Sequence, residues 1–515
     1  MLLTNAQVYC DATDTAPHSE IALNGAYVGT HFDGPKRDLG GRIVLPGLTD
    51  AHLHIFPLAL FRLQLDIAAA RITSIPALID ALHQVPDARR HGGWLQAAVL
   101  VEDTFTEARL PTRAELDAAF PDTPVFLRRY CGHVAILNTA ALNALGLLTR
   151  QPNVASGSFR RDAAGNLTGQ ADEAAAAWIF ARAPAPPDAQ ILSEISAVID
   201  QCLAYGLTSL VEAAVGFTLG YDREAAIWTK LRAAGNIPVR LGFMNELTTD
   251  QAAARALTPQ WDANWSSETL KFFADGIIGG RTGALSEPYC DIDTMGDVMH
   301  PPGVLQSQLT AAHAAGWRIA VHATGDRGIS QTLDAITAAQ GDDTSRRHRI
   351  EHFFVAPKGG LHTAANAGIN VVTQPGFLHR MGTSIARGLG PRALGCVYPG
   401  ASALAANVAL AFSSDAPTGP LSPWDGIAAA ITRRAPSGEP IGPSESLPFA
   451  QALNAYISGG AHAMRHDHFR STLAPGQAAD LVVLNMNPFT ASPDELNDCR
   501  ADLVMKDGKV VKDDL

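Results

Sequence analysis

The sequence predicts an α/β fold built around a (β/α)₈ barrel. Helical and strand patterns alternate from about residue 188 to residue 461, with Gly206, Gly316 and Gly368 each ending a helix before the next strand. An earlier apolar segment that leads into His52 adds a first strand and brings the predicted number to eight. Short β patterns at both ends of the chain predict an additional layer beside the barrel.

The terminal segments contain too few strands to fold separately. Residues 2–9, 21–30 and 42–45 alternate or run apolar, and residues 480–484 and 503–511 read as a strand followed by a hairpin. Since each group is short, the simplest arrangement joins them in one sandwich. The predicted domains are therefore a β-sandwich of residues 1–46 and 473–515, and a barrel of residues 47–472.

The barrel elements follow one another in regular order. After the first strand, the predicted strands lie at 207–212, 238–243, 269–274, 318–322, 349–354, 369–374 and 408–413. The predicted helices lie at 190–205, 221–235, 248–257, 304–315, 327–340, 358–367, 398–406 and 448–461. Each later strand is preceded by a helix, as parallel strands require.

The chain between the first two barrel strands is too long for a simple connection, so it predicts an insertion at about 65–187. Its proline-rich end, Ala183–Pro187, is typical of a linker. The insertion follows the carboxyl end of a barrel strand, where barrel active sites lie. We therefore expect it to act as a lid.

The composition is that of a globular, enzyme-sized protein, and it leaves small molecules as the default partners. The chain has 515 residues, 47% of them hydrophobic, and a net charge of −12, which argues against nucleic acid or an anionic membrane as the main partner. It has no run of roughly 18 apolar residues and no signal-peptide pattern. The six cysteines are widely spaced, so we expect reduced thiols and a cytoplasmic protein. A homo-oligomer is compatible with the sequence, which leaves the oligomeric state open.

Two histidines end the first strand in the segment Leu45–Ile55. Side chains of a strand alternate between its faces, so His52 and His54 point the same way and can reach one divalent cation. A lone His-x-His pair is more often structural than metal-binding. Further ligands at corresponding places would therefore decide between the two interpretations.

Four more candidate ligands lie at or near the ends of later strands. They are Lys271 on the fourth, His322 on the fifth, His352 on the sixth and Asp415 after the eighth. Each alone has an ordinary structural explanation, but together they would converge at one end of a barrel. A lysine ammonium beside cations would be repelled. Lys271 fits such a site only as a carbamate, formed with CO₂, that bridges two ions.

These residues lie in motifs that resemble the amidohydrolase superfamily, and within it amidohydrolase family 3, which includes N-substituted formamide deformylases. The motifs are Leu45-Pro-Gly, Asp50-Ala-His-Leu-His54, Cys131-Gly-His-Val, Lys271-Phe-Phe-Ala-Asp-Gly276, His322-Ala-Thr-Gly-Asp-Arg327, Ile350-Glu-His352, Ser414-Asp-Ala-Pro417 and Gly476-Gln-Ala-Ala-Asp480. The resemblance spans nearly the whole chain. It implies a barrel with a flanking sandwich, one or two metal ions, most often zinc and here expected to be two, a carboxylated Lys271, and hydrolysis of a C–N bond.

The chain departs from the family pattern at Val211-Glu212, where a His-Asp pair is expected, and at Ile277–Gly280. These departures affect the expected substrate more than the metal ligands. Candidate substrate contacts are His133, Asn138, Glu173 and Arg281, and Gln374 is a weaker candidate.

The expected reaction is hydrolysis of a non-peptide amide, formamide or cyclic amide by metal-activated water. Asp415 is the expected catalytic residue, since a carboxylate at this position can take the proton of water and return it to the leaving nitrogen. Two alternatives remain: a deaminase of the same fold with one metal and an unmodified Lys271, and a non-catalytic metal-bound regulatory protein.

Overall fold

The computed structural model describes residues 1–32, 34–130, 132–154, 157–235 and 237–515, with only the backbone of Asp103. The chain forms two compact units. The barrel unit comprises Met1–His54, Ile199–Ala214 and Asn236–Leu515. The insertion unit comprises Ile55–Val198 and Val215–Gly235, so it begins earlier than the predicted insertion and includes the chain after the second barrel strand.

A parallel sheet of eight strands, counted over the described residues, forms a nearly closed barrel. The strands pair in chain order, and they are Leu48–Leu53, Leu207–Val215, Arg240–Asn245, Trp265–Phe273, Arg318–Ala323, Arg349–His352, Asn370–Thr373 and Leu410–Phe412. The Asp415 amide donates to the His52 carbonyl at 2.8 Å, and the His54 amide donates to the Ala416 carbonyl at 2.8 Å. These bonds join the first strand to the chain after the eighth. The predicted barrel is confirmed.

Helices lie between successive strands of the barrel. In the barrel unit they are Thr249–Ala254, Val304–Ala314, Asp326–Gln340, Gly360–Asn366, Phe377–Leu389, Ala401–Ala405, Pro423–Thr432, Phe449–Tyr456 and Ser458–Ala463. The first of these begins at a capping box, in which Thr248 and Gln251 each accept from the other's backbone N–H. The sequence analysis missed Phe377–Leu389 and Pro423–Thr432, which are additional helices after the seventh and eighth strands.

Two terminal sheets contain strands from both ends of the chain. One has the order Tyr27–Gly29, Ile21–Asn24, Leu2–Thr4, Lys36–Asp38, and the other has the order Gln7–Val8, Ile43–Pro46, Leu481–Leu484, Ala501–Lys506, Lys509–Asp513. Leu3 and Leu23 from the first sheet and Val44, Val483 and Leu503 from the second belong to one buried cluster. The two sheets therefore share a core, as the layers of a sandwich do.

The insertion unit has its own sheet, with the order Gly157–Arg161, Leu167–Glu173, Val134–Leu137, Val125–Arg129, Leu95–Leu100, Leu65–Asp66. Its helices are Ile55–Arg62, Ile75–His83, Arg113–Ala119, Thr139–Ala144, Ala174–Phe180 and Tyr221–Ala234, and Asp188–Ala204 continues into the barrel unit. Val125 and Leu127 pack into one hydrophobic cluster, while Phe126 packs into another. Alternation along the strand thus gives the sheet two covered faces.

No helix in the described part of the chain is long and apolar enough to span a membrane. Cys10, Cys202, Cys290, Cys396 and Cys499 are free thiols, and Cys131 lies outside the described residues.

Candidate metal centre

Three of the predicted ligands meet at the carboxyl end of the barrel strands. His52, His352 and Asp415 are buried, and each offers a ligand atom that lies within 4.8 Å of the other two. The residues come from the first strand, the sixth strand and the segment after the eighth. Closure of the barrel therefore brings together side chains that are far apart in the sequence.

His52 and His54 face the same carboxylate, as the alternation of the strand predicts. His52 Nε2 lies 3.4 Å and His54 Nε2 lies 3.1 Å from Asp415 Oδ1. On its other side, His54 Nδ1 lies 3.8 Å from Oε1 of Glu212, which is fully buried. The sequence departure at Glu212 therefore lies beside a predicted metal ligand, which the sequence analysis did not anticipate.

His322 and His352 form the other side of the centre, with their ring centroids 4.5 Å apart. His322 Nε2 donates to the Gly276 carbonyl at 2.9 Å. His352 Nδ1 lies 2.8 Å from Gln374 Oε1, and Gln374 Nε2 donates to Ser413 Oγ at 2.9 Å. Since the amide oxygen accepts, this contact places the imidazole proton on Nδ1 and leaves Nε2 as the ligand atom. Gln374, a weak substrate candidate from sequence, thus orients a histidine.

Lys271 is buried in the fourth strand, with 3% of its surface exposed. Its Nζ lies 5.3 Å from the centroid of the Phe273 ring. Burial lowers the pKa of Lys271 to about 8, against the attraction of Glu351 and Asp415, which favours its charged form. The shift enlarges the minor unprotonated fraction of this amine near neutral pH, and the unprotonated amine is the form that reacts with CO₂.

Glu351 contacts a histidine of the metal centre and was not predicted from the sequence. Its Oε2 lies 2.5 Å from His52 Nδ1, and Arg349 binds both carboxylate oxygens, with Nε 2.5 Å from Oε1 and Nη2 2.8 Å from Oε2. Burial raises the pKa of Glu351, but Arg349, His52 and Lys271 outweigh burial and bring the pKa well below its usual value. Glu351 is therefore an anion that fixes the His52 ring. Two charged residues on one face of a buried strand were the available signal.

Asp50 connects the first strand to the chain after the eighth. Its Oδ1 accepts from the His52 amide at 3.2 Å and from the Ser414 amide at 3.1 Å. Burial raises the pKa of Asp50 to about 6, although these hydrogen bonds oppose that shift. The carboxylate thus holds the backbone of His52 close to that of Asp415.

The protonation states of the centre suit a divalent cation. Burial lowers the pKa of His54, and it lowers that of His352 to about 3, so both rings are neutral. Burial raises the pKa of Asp415, but its contacts with His52 and His54 outweigh burial and bring the pKa well below its usual value. Neutral imidazoles and an ionised carboxylate are the forms that bind metals. His52 Nε2 and Asp415 Oδ1 are buried without a hydrogen-bond partner among the described residues, which is consistent with ligand atoms.

Two of the predicted substrate contacts are used within the fold. Asn138 caps the helix Thr139–Ala144; its Oδ1 accepts from Val125 and Ala141, and its Nδ2 donates to two backbone carbonyls. Its amide has no donor or acceptor left for a substrate, and this corrects the expectation from sequence. Arg281 binds Asp291 and the backbone carbonyls of Ile278 and Ser384. These hydrogen bonds explain why Arg281 is partly buried. Its contact with a substrate remains a prediction.

The other two predicted substrate contacts, His133 and Glu173, pair with each other in the insertion unit. His133 Nδ1 lies 2.8 Å from Glu173 Oε2. Glu173 has a φ of 51°, a left-handed conformation that is uncommon for glutamate. Strained backbone occurs often at functional sites, so the pair keeps its predicted role in substrate binding as a hypothesis.

Residues 37–512 match the model of the amidohydrolase family. The chain belongs to this family. It is 29% identical over 480 residues to a Bacillus subtilis (strain 168) protein named amidohydrolase YtcJ. The alignment covers 92% of this chain and 89% of the relative. The chain is 26% identical over 536 residues to the N-substituted formamide deformylase of Arthrobacter pascens. The alignment covers 99% of this chain and 97% of the deformylase.

The fold has close structural counterparts. The crystal structure of an uncharacterized metal-dependent hydrolase from Pyrococcus horikoshii OT3 superposes with a TM-score of 0.76 at 24% sequence identity. It covers 96% of this chain and 99% of its own chain. The family, the fold and the His-His-Asp cluster together support a metal-dependent amidohydrolase family member.

Proposed function

We propose that this amidohydrolase uses two divalent ions, most simply zinc, to hydrolyse a non-peptide C–N bond of a small molecule. The observation that carries the proposal is the convergence of His52, His352 and Asp415, whose ligand atoms lie within 4.8 Å of one another in a buried centre. A lone ion needs three or four ligands, and the barrel offers further nitrogen donors at His54 and His322. Two ions therefore match the available donor set.

The residues divide into two groups by position. His52 and His54 share the first strand and both face Asp415, whereas His322 and His352 face each other from neighbouring strands. The residues that would hold the ions are His52, His54, His322, His352, Asp415 and a carbamate on Lys271. When bound, the ions polarise the carbonyl of the substrate and acidify water. In carbamate formation, the Lys271 amine adds to CO₂ and releases one proton.

Asp415 carries the proton in the reaction that we propose. It takes a proton from water as the oxygen adds to the carbonyl carbon, and it gives that proton to the nitrogen as the C–N bond breaks. The pKa of Asp415 lies well below its usual value, so the carboxylate is ionised before it takes up the proton. Glu351 and Gln374 hold the His52 and His352 rings in place during turnover.

The choice of a C–N bond draws on the relative named N-substituted formamide deformylase, whose alignment covers 99% of this chain. Members of one family share the metal chemistry more readily than the substrate, because the substrate is selected by other side chains. Formamides and simple amides are therefore the first substrates to test, followed by cyclic amides and esters.

The deciding experiment combines metal analysis with a substrate panel. Full-length protein is prepared with zinc and bicarbonate, and we expect two zinc ions per chain, turnover of at least one formamide or amide, and a carbamate signal in ¹³C NMR after supply of ¹³C-bicarbonate. K271A should lose the carbamate signal and activity, and short carboxylic acids should restore part of the activity by supplying a bridge.

Other outcomes distinguish the alternatives. One zinc ion without a carbamate, together with release of ammonia from an amino-substituted ring, would support a mononuclear deaminase. Full zinc occupancy without turnover of any substrate in the panel would support a non-catalytic metal-bound protein.

A further inference from the structure

Arg128 is buried in a central strand of the insertion unit. It belongs to the strand Val125–Arg129 and has 2% of its surface exposed. Leu127 pairs with Ala97 of the neighbouring strand, but Arg129 pairs with Leu100, so the neighbouring strand has an extra residue opposite Arg128. Such a bulge bends the strand pair locally and redirects the side chains beside it.

Three phenyl rings surround the guanidinium. Its central carbon lies 3.9 Å from the ring centroid of Phe180, 4.9 Å from that of Phe61 and 5.3 Å from that of Phe126. The face of an aromatic ring attracts the positive charge of a guanidinium. The N–H groups point outward in the guanidinium plane, and they still need oxygen or nitrogen acceptors there. Nε and Nη1 are buried and have no hydrogen-bond partner within the described ranges of the chain.

Other buried arginines of this protein are bonded differently. Arg240 and Arg349 bind carboxylates, whereas Arg318 and Arg433 bind backbone carbonyls. A buried cation without acceptors is costly, because it has lost its water and gained no replacement. Arg128 differs from these four arginines because its Nε and Nη1 have no acceptor among the described residues.

Glu224 attracts Arg128 but makes no hydrogen bond with it. The Glu224 oxygens accept from the backbone N–H groups of Gly216 at 2.6 Å, Thr218 at 2.8 Å and Leu219 at 2.6 Å. Burial lowers the pKa of Arg128 to about 9, against the attraction of Glu224. Arg128 is thus still mostly charged at neutral pH, and its donors need an acceptor from elsewhere.

We propose that Arg128 binds the carboxylate of a small organic acid. A carboxylate is planar and accepts two parallel N–H bonds from one edge of a guanidinium, which satisfies donors that the fold leaves open. A monoanion brings one negative charge to the guanidinium, whereas a phosphate dianion would bring a second negative charge into an apolar site. The rings of Phe61, Phe126 and Phe180 make the surroundings of the guanidinium apolar. This inference is independent of the proposed hydrolysis.

The test uses benzoate as the probe and benzamide as its neutral isostere, on the full-length zinc-loaded protein. We expect benzoate at about a hundredfold excess over its Kd to raise the Tm of the wild-type protein by about 2–3 °C, and benzamide to leave it unchanged. R128M should lose the benzoate shift. Without benzoate it should unfold at or above the wild-type temperature, since a buried cation without acceptors has been removed.

R129M is the matched control, because Arg129 is the next residue on the same strand but binds Glu102. It should keep the benzoate shift and unfold at a lower temperature than the wild-type protein. R128K, which keeps the charge but has a different donor geometry, should show a reduced shift and so guards against misfolding of R128M. An equal benzoate shift in R128M and wild type would place the acid elsewhere, for example at the metal ions, and would overturn the proposal. No shift in the wild-type protein, or destabilisation of R128M as large as that of R129M, would also overturn it.

Discussion

Two clusters of buried charge in the barrel unit differ in how their polar atoms are used. Every side-chain nitrogen of Arg240 donates a hydrogen bond, Nε to Asp480 at 2.7 Å, Nη1 to Asn264 at 3.0 Å and Nη2 to Asp480 at 3.0 Å. At the metal centre, His52 Nε2 and Asp415 Oδ1 are buried without such a partner among the described residues. Arg240 thus has no side-chain nitrogen left for a ligand, whereas His52 and Asp415 at the metal centre retain one ligand atom each.

The difference separates charges that stabilise the fold from charges that serve a site. Burial raises the pKa of Asp480, but hydrogen bonds and attraction from Arg240 outweigh burial and lower the pKa below its usual value, so this pair is ionised and complete. A complete pair loses stability when one member is removed. An incomplete group imposes a cost on the folded state, and natural proteins keep such groups mainly where function requires them.

The largest expected effect is on turnover, in D415N. We expect kcat to fall by about 10²–10⁴-fold, because asparagine cannot carry the proton between water and the leaving nitrogen. Zinc content should remain close to that of the wild-type protein, since the histidines and Lys271 are unchanged. Steady-state kinetics and elemental analysis measure the two quantities.

D326N provides the control for D415N. Asp326 accepts from the Ser286 amide at 2.8 Å, at the beginning of a helix, and the change of aspartate to asparagine is the same. It should keep nearly all activity. Wild-type kcat in D415N would remove Asp415 from the proposed reaction, and loss of both zinc ions would reduce its role to that of a ligand.

The second effect concerns stability and should appear in R240M. Removal of Arg240 leaves Asp480 and Asp507 without their main cation, and we expect a loss of about 3–5 kcal/mol in the free energy of unfolding. The kcat per folded molecule should stay unchanged at low temperature. Chemical denaturation and assays on the same preparation test this. A variant that loses kcat without losing stability would contradict the separation of the two clusters.

A smaller effect is expected in E351Q. Glutamine keeps a hydrogen bond to His52 Nδ1 but removes the negative charge that Arg349 and His52 share. We expect zinc affinity to fall by about 10–100-fold, with a milder change in kcat when zinc saturates the site. Competition with a chelator measures the affinity. Equal zinc affinity in E351Q and wild type would show that Glu351 supports only the fold.

The sequence predicts the barrel and most ligands for physical reasons that are local. Alternation along one strand is sufficient to place His52 and His54 on one face, and strand order is sufficient to bring Asp415 near them. The two charged residues on one face of the sixth strand mark Glu351 as unusual, but they do not specify its contact with His52 on the first strand. Asn138 shows the opposite error, because its motif suggested a ligand contact while its amide caps a helix. The hydrogen bonds that a side chain makes with other helices and strands distinguish Glu351 from Asn138, whereas residue type alone does not.

His466 tests the distinction between buried groups that stabilise the fold and buried groups that bind a ligand. Both of its ring nitrogens are buried without a hydrogen-bond partner in the part of the chain that the structure describes. Its ring packs against Phe469, with centroids 4.9 Å apart, and against Trp261 at 5.9 Å. Burial is the largest cause that lowers the pKa of His466, and together with Arg470, Arg240 and His468 it brings the pKa to about 2. We therefore interpret it as a neutral ring held by packing.

This interpretation predicts the smallest effect, a change in how stability depends on pH. Below a pH of about 6.5 the unfolded chain takes up a proton at His466 and the folded chain does not, so stability falls by about 1.4 kcal/mol per pH unit as pH decreases toward the folded pKa. H466F removes this contribution. Between about pH 6 and pH 4.5, the slope of its unfolding free energy against pH should be smaller than that of the wild-type protein by about 1.4 kcal/mol per pH unit. Denaturation of both proteins across this range measures the slopes. Equal slopes in the two proteins would mean that folded His466 does bind a proton. If zinc raised the Tm of the wild-type protein but not that of H466F, the His466 nitrogens would be metal ligands instead.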